Sequence, residues 1–249
     1  MTAQLRSELL KQRTARANVL LGLWLVGLVL LVVLLHVFSF DADTLAAYDN
    51  QLRVLGLGTT VGALFAGLVG AISITGEIRH GTIRPTFLAA PKRRRVIAAK
   101  VAVGALAGVA VGLLAEGLTA AVEAAGLAAR GIDVRLEPAD YVQLLAGGAF
   151  AAALFAAIGV GVGAVVRNQV PALVGLCVWL LFIEPILLGD VRSVGRFGPG
   201  AAAGAMAGAI QTQIGSDLLA PAAGALLLAA YAGIAALVGA VATEKRDVT

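Results

Sequence analysis

Gly76-Glu77-Ile78-Arg79-His80-Gly81-Thr82-Ile83-Arg84-Pro85-Thr86-Phe87-Leu88-Ala89-Ala90-Pro91-Lys92-Arg93-Arg94-Arg95 lies between two long apolar runs and carries six of the chain's nineteen Lys and Arg residues. Positive charge beside membrane spans stays on the cytoplasmic side, so this stretch reads as an intracellular loop joining two transmembrane helices. It also has a helical pattern of its own. Such a loop offers a surface to something in the cytoplasm.

The rest of the chain agrees with a membrane setting. It is 59% hydrophobic and 14% charged, with a mean hydropathy of +0.92, values that fit a membrane protein and not a soluble core. The isoelectric point near 9.6 would suit nucleic-acid binding. The charges, however, flank apolar spans and so face headgroups or a protein partner, and no nucleic-acid partner is expected. The single Cys177 sits in an apolar run. It reads as a small buried hydrophobe with no disulfide partner in the chain.

Runs free of Lys, Arg, Asp and Glu mark six spans at 17–40, 54–76, 101–115, 142–166, 168–183 and 218–243. About 20 apolar residues cross a bilayer as a helix. The third run must therefore take in Glu116 and continue to 122, and the fifth must take in Glu184 and reach 188. With loop residues assigned, the expected spans are 18–40, 54–76, 96–122, 142–166, 169–188 and 218–243, in one domain covering 1–249. Six spans leave both ends on one side. That side holds fourteen basic residues against five on the other, which places both termini in the cytoplasm. The first span is too long for a signal-peptide core and no small-x-small site follows it, so it reads as an uncleaved anchor.

Ahead of the first span, Leu5, Leu9 and Leu10 alternate with Arg6, Glu8, Lys11 and Arg13. This spacing predicts an amphipathic interfacial helix along the inner membrane surface; a purely electrostatic headgroup contact is the alternative. Gly58, Gly62, Ala66 and Gly70, and then Gly104, Gly108 and Gly112, recur at every fourth position. Small-residue faces of this kind allow close helix packing, within one subunit or between two. A Gly/Ala-rich segment after Pro199 is too short to span. It is expected as a short external helix that dips into the outer leaflet or covers the bundle.

Catalysis finds little support. His36 and His80 fall on opposite sides of the membrane, no cluster has metal-ligand spacing, and no phosphate-cradling glycine loop precedes a lysine. Three acids at membrane depth remain. Glu116 and Glu123, with Thr119 between them, share one helix face that extends the Gly104/Gly108/Gly112 stripe. Glu116 stands about 24 Å beyond Lys100, in the outer part of the span. Glu184 precedes Pro185 near the outer end of the fifth span. Buried ionisable groups in membranes usually face a bundle interior or a watery cavity, so these residues are candidates for a substrate pathway. The alternative is helix-end acids, solvated or paired with Arg192 or Arg196.

The opening loop is more specific. Thr82 can cap a helix whose first turn includes Pro85, Ile83, Phe87 and Leu88 give it an apolar face, and Pro91 ends it. In the order Gly76-Glu77, Gly81-Thr82, Leu88, Pro91, Arg94/Arg95 and Lys100, the loop resembles the type-2 ABC permease pattern. The opening Leu5-Arg6-Ser7-Glu8-Leu9-Leu10-Lys11 is similar to the interfacial helix of such permeases, and the topology agrees along the whole chain. The resemblance implies an exporter's membrane subunit that pairs with a second permease copy or paralogue and two cytoplasmic ATP-binding cassette subunits. No cofactor is then expected in this chain, since ATP and Mg would bind the partner ATPase. It further implies that the loop holds a coupling helix, with Glu77, Gly81, Thr82 and Phe87 transmitting nucleotide-driven closure. Arg94, Arg95 and Lys100 would fix its membrane end. A secondary active transporter and a non-transporting partner of a signalling complex are the alternatives. High Ala, Gly, Val and Arg content suggests a GC-rich bacterium and thus a bacterial inner membrane.

Overall fold

In the computed structural model, residues 2–89, 93–209 and 218–245 are described. Their regular structure is helical throughout. An N-terminal helix α1 (Thr2–Thr14) turns at Ala15 into α2 (Arg16–Ser39), and a four-residue helix α3 (Ala42–Leu45) leads to α4 (Tyr48–Arg79). A short α5 (Ile83–Ala89) precedes α6 (Arg93–Ala129), followed by α7 (Pro138–Val166) and α8 (Gln169–Val178). A π-helical turn (Trp179–Ile183) continues α8 into α9 (Glu184–Asp190). After these come α10 (Arg192–Gly195), α11 (Pro199–Ala207) and α12 (Pro221–Lys245).

Six of these helices are long and apolar enough to cross a membrane: α2, α4, α6, α7, the continuous 169–190 rod and α12. Helix α1 and the last turn of α12 lie at one end of the bundle, here the terminal end. The opposite end is the far end. Helices α4 and α6 exceed the expected spans, since charge-free runs mark the apolar core of a helix and not its polar ends. In consequence Gly76–Arg79 belong to α4 and Arg93–Arg95 to α6, and the expected loop is correspondingly shorter.

The centre is α4 against α7. Their apolar windows are 78% and 61% buried, against 17% for α2 and α12. What brings them together is the lack of side chains. A Cβ on Gly70 would run into the Ala156 carbonyl, and one on Gly159 into the Gly67 carbonyl. On the opposite seam, a Cβ on Gly112 would stand 2.8 Å from the Ala149 Cα. The small-residue faces therefore seat helices within one chain, the first of the two arrangements the spacing allowed. Around this centre, Phe155, Leu64, Leu180 and Leu228 form one buried cluster, and Leu25, Val29, Val33 and Phe65 seat α2 in another.

Local signals set the helix ends. Glu137 and Asp140 form a reciprocal capping box at the start of α7, with Pro138 in its first turn, a pairing that satisfies two otherwise orphaned N–H groups. Asn168 caps α8 by accepting from the Val170 N–H at 3.2 Å. The short helix α11 does more than lie over the bundle. Ala201, Ala202 and Ala203 are at most 1% exposed, because α11 wedges between α4, α7 and α12 at the far end.

Candidate functional site

At the terminal end, α4 stops at His80, and Gly81 turns the chain with φ +69°, a conformation that costs glycine nothing. Thr82 follows directly before α5, as a cap would. Its hydroxyl instead donates back to the Glu77 carbonyl at 3.4 Å. Helix α5 then lies beneath the bundle. Ile83 and Phe87 are buried against Ile74, Val96, Ile97 and Ala164, whereas Leu88 on the same short helix is 86% exposed. The expected apolar face is thus split: two residues anchor the helix and one points away. Pro91 lies outside the described residues.

The anchor extends to α12. The Arg93 guanidinium lies 5.4 Å from the centre of the Phe87 ring and donates to the Thr243 carbonyl at 3.0 Å. Arg94 pairs with Glu244 at 2.7 Å, while Arg95 is exposed.

Lys100 is among the most buried large side chains, 1% exposed. Its ammonium donates to Glu8 Oε2 at 2.7 Å, to Glu77 Oε1 at 2.8 Å and to the Ser73 carbonyl at 3.0 Å. Lys11 closes the circuit, 2.7 Å from Glu77 and 2.9 Å from Glu8. Two cations and two carboxylates thereby tie α1 to the end of α4 and the start of α6. Partial burial works against the Lys11 ammonium, yet its hydrogen bonds to Glu77 and Glu8 outweigh that and hold its pKa above the usual lysine value. Its contribution is therefore complete at neutral pH and fades only as alkaline pH passes the raised value.

This network adds a contact to the reading of α1. The residue that α1 buries is its acid, with Glu8 at 3%, while Leu9 and Leu10 are 43% and 64% exposed. Sequence reasoning missed Glu8 and Lys11 as partners. The signal was present: Lys100 stands in an apolar run, and a lysine buried there needs a carboxylate.

The acids at membrane depth separate into two groups. Glu116, Thr119 and Glu123 are each 1% exposed, on the inner face of α6. Thr59 of α4 donates to Glu116 Oε1 at 2.5 Å. A Cβ on Gly58 would lie 2.5 Å from Glu116 Oε2 and 3.0 Å from the Thr119 hydroxyl, so the missing side chain makes room for both. Glu116 Oε2, the Thr119 hydroxyl and both Glu123 oxygens lack hydrogen-bond partners among the described residues. Glu116 is enclosed between α4 and α7, with Thr59 on one side and Gly148 on the other.

Glu184 is also buried, but by a different arrangement. It accepts from the Ala201 N–H at 2.6 Å, at the start of α11, and from the Trp179 indole N–H at 3.0 Å. Arg192 and Arg196, its expected alternative partners, make no ion pair with it. It lines a cavity of about 340 Å³ at the far end, together with Arg53, Thr59, Thr60, His36 and Leu188. Of the four candidate pathway residues, only Glu184 reaches this cavity, and Thr59 connects its wall to Glu116.

Six helices long and apolar enough to cross a membrane, packed on glycine seams with a short helix held under one end, are the architecture of a multi-pass membrane protein. The family model described as ABC-2 family transporter protein matches residues 4–184, from α1 through the acid that caps α11, and the chain belongs to that family. It is accordingly a membrane permease domain of ABC transporter type. No curated protein matches the chain.

Proposed function

We propose that this chain is the membrane subunit of an ATP-driven exporter in a bacterial inner membrane. Both termini lie in the cytoplasm, and the chain works with a second permease and two ATP-binding cassette subunits. The partners bind ATP and Mg and do the hydrolysis. Supporting the orientation is the bias of basic residues toward the terminal end. One observation carries the coupling role: α5 is fastened inward through Ile83 and Phe87 while Leu88 projects outward. A helix held that way passes a push at its outer face to α4, α6 and α7 together. Glu77 and Lys100 pass the same push to α1, and Gly81 is its pivot. Substrate, whether drug, lipid, peptide or ion, meets the far-end cavity at Glu184, with Glu116, Thr119 and Glu123 setting the seam behind it.

The test is transport and ATPase activity with the cognate ATP-binding subunit co-expressed. Leu88→Asp alters only an exposed side chain, so it should leave membrane insertion and melting temperature intact while ATP hydrolysis loses its link to transport. Glu77→Ala and Phe87→Asp should uncouple as well, both with some loss of stability, since one strands Lys100 and the other breaks the anchor of α5. Wild-type transport in all three variants would sink the coupling role.

A further inference from the structure

A second cavity, about 320 Å³, lies at the terminal end between α1, α2 and α6, remote from the one holding Glu184. Gln12, Arg13 and Asn18 frame its mouth, and Leu25, Phe65 and Leu114 are among its apolar walls. Its depth comes from small residues: Gly22 of α2 faces Ala107 and Ala110 of α6. Where a Cβ on Gly22 would stand, nothing lies within 4 Å. Leu106 and Leu114 on the rim are 64% and 47% exposed. The groove therefore opens sideways, onto the hydrocarbon that surrounds the bundle. From Leu106 to Leu114 it runs about 12 Å along α6.

Charge distinguishes the mouth from the walls. Lys11 and Lys100 are matched by Glu8 and Glu77. Arg13 makes no ion pair with any described carboxylate, and neither do Arg6 and Arg16 near it. The Asn18 amide donates to the Gln12 carbonyl at 2.8 Å and to Gln12 Oε1 at 2.6 Å. These bonds fix the corner between α1 and α2, and with it the position of the mouth. An unmatched guanidinium at headgroup level, above an apolar slot open to lipid, complements an amphiphile with an anionic head.

We propose that this groove binds one anionic glycerophospholipid, with its phosphate at Arg13 and an acyl chain along Gly22, Ala107 and Ala110. The site is independent of the coupling role of α5 and stands whether or not an ATPase docks. Bound there, the lipid braces α1 along Leu9, Gln12 and Arg13, beside the face that holds Glu8.

The experiment is native mass spectrometry of the full chain released from bilayers of equal phosphatidylglycerol and phosphatidylcholine. Wild type should retain one phosphatidylglycerol, favoured over phosphatidylcholine about fivefold, the order expected for one basic residue near an anionic headgroup. Arg13→Gln should abolish the preference. Gly22→Leu places its Cβ where nothing lies within 4 Å and fills the groove, and should abolish retention with the melting temperature unchanged. Ala110→Leu fills the groove from the other wall and replaces that variant if it accumulates poorly. Equal retention of the two lipids by wild type, or undiminished phosphatidylglycerol in the filled variants, would overturn the site.

Discussion

Lys100 shows why single residues carry so much of this molecule. A fully buried ammonium is tolerated only with its countercharges in contact, and removing one member of such a group leaves the others stranded. Lys100→Met should therefore lower stability by about 3–5 kcal/mol, read as a drop in the detergent-solubilised melting temperature. Neutralising all three buried members, Glu8→Gln, Glu77→Gln and Lys100→Met together, should recover much of that loss. A melting temperature unaffected by Lys100→Met would mean that the network does not hold α1. The need for a partner was legible in the sequence. Which partner was not, because Glu8 and Lys100 are 92 positions apart and meet only once α1 folds back on α6.

Among the elements, the glycine seams decide what can change. Gly159 and Gly233 are both transmembrane glycines, yet one meets backbone and the other open space. Gly159→Ala should cost about 1–3 kcal/mol through overpacking, and Gly233→Ala should be neutral or stabilising by up to about 1 kcal/mol. Comparing the two melting curves checks this; equal shifts would show that the close approach of α4 and α7 does not depend on Gly159. The spacing of small residues announced such seams, but not which helix each would meet. Gly58 and Gly62 look toward α6 whereas Gly70 looks toward α7, a division that depends on crossing geometry. Helix α5 was legible as a short amphipathic piece. The split between Phe87 and Leu88 was not, since periodicity marks an apolar face without saying what covers it.

For the whole molecule, six spans followed directly from hydropathy, because hydrocarbon forces a backbone to satisfy itself as helix. Orientation rests on the charge bias alone and is open to direct measurement. In a Cys177→Ala background, Asp133→Cys should react with a membrane-impermeant maleimide in intact cells, and Ser7→Cys only after permeabilisation. The reverse pattern would invert the protein and remove α5 from the reach of any cytoplasmic partner. Helix α11 was expected to dip into the outer leaflet or cover the bundle and is an inserted wedge, since its alanines are small enough to enter between three helices.

The π-helical turn at Trp179–Ile183 has a consequence for chain length. In an α-helix, residues five apart point about 140° away from each other at 3.6 residues per turn. The wider turn brings Trp179 and Glu184 into line, and their side chains meet. The rod thus holds one residue more than a regular helix of the same pitch would need, a phase shift inserted before Pro185. Deleting one residue between them would restore regular winding, leave Trp179 and Glu184 four apart and about 40° from alignment, and keep the direction of α9. An insertion of one further residue, by contrast, would swing α9 by about 100° and take the carboxylate from the N–H at the head of α11. The cavity wall therefore tolerates the loss of the extra residue better than the gain of another.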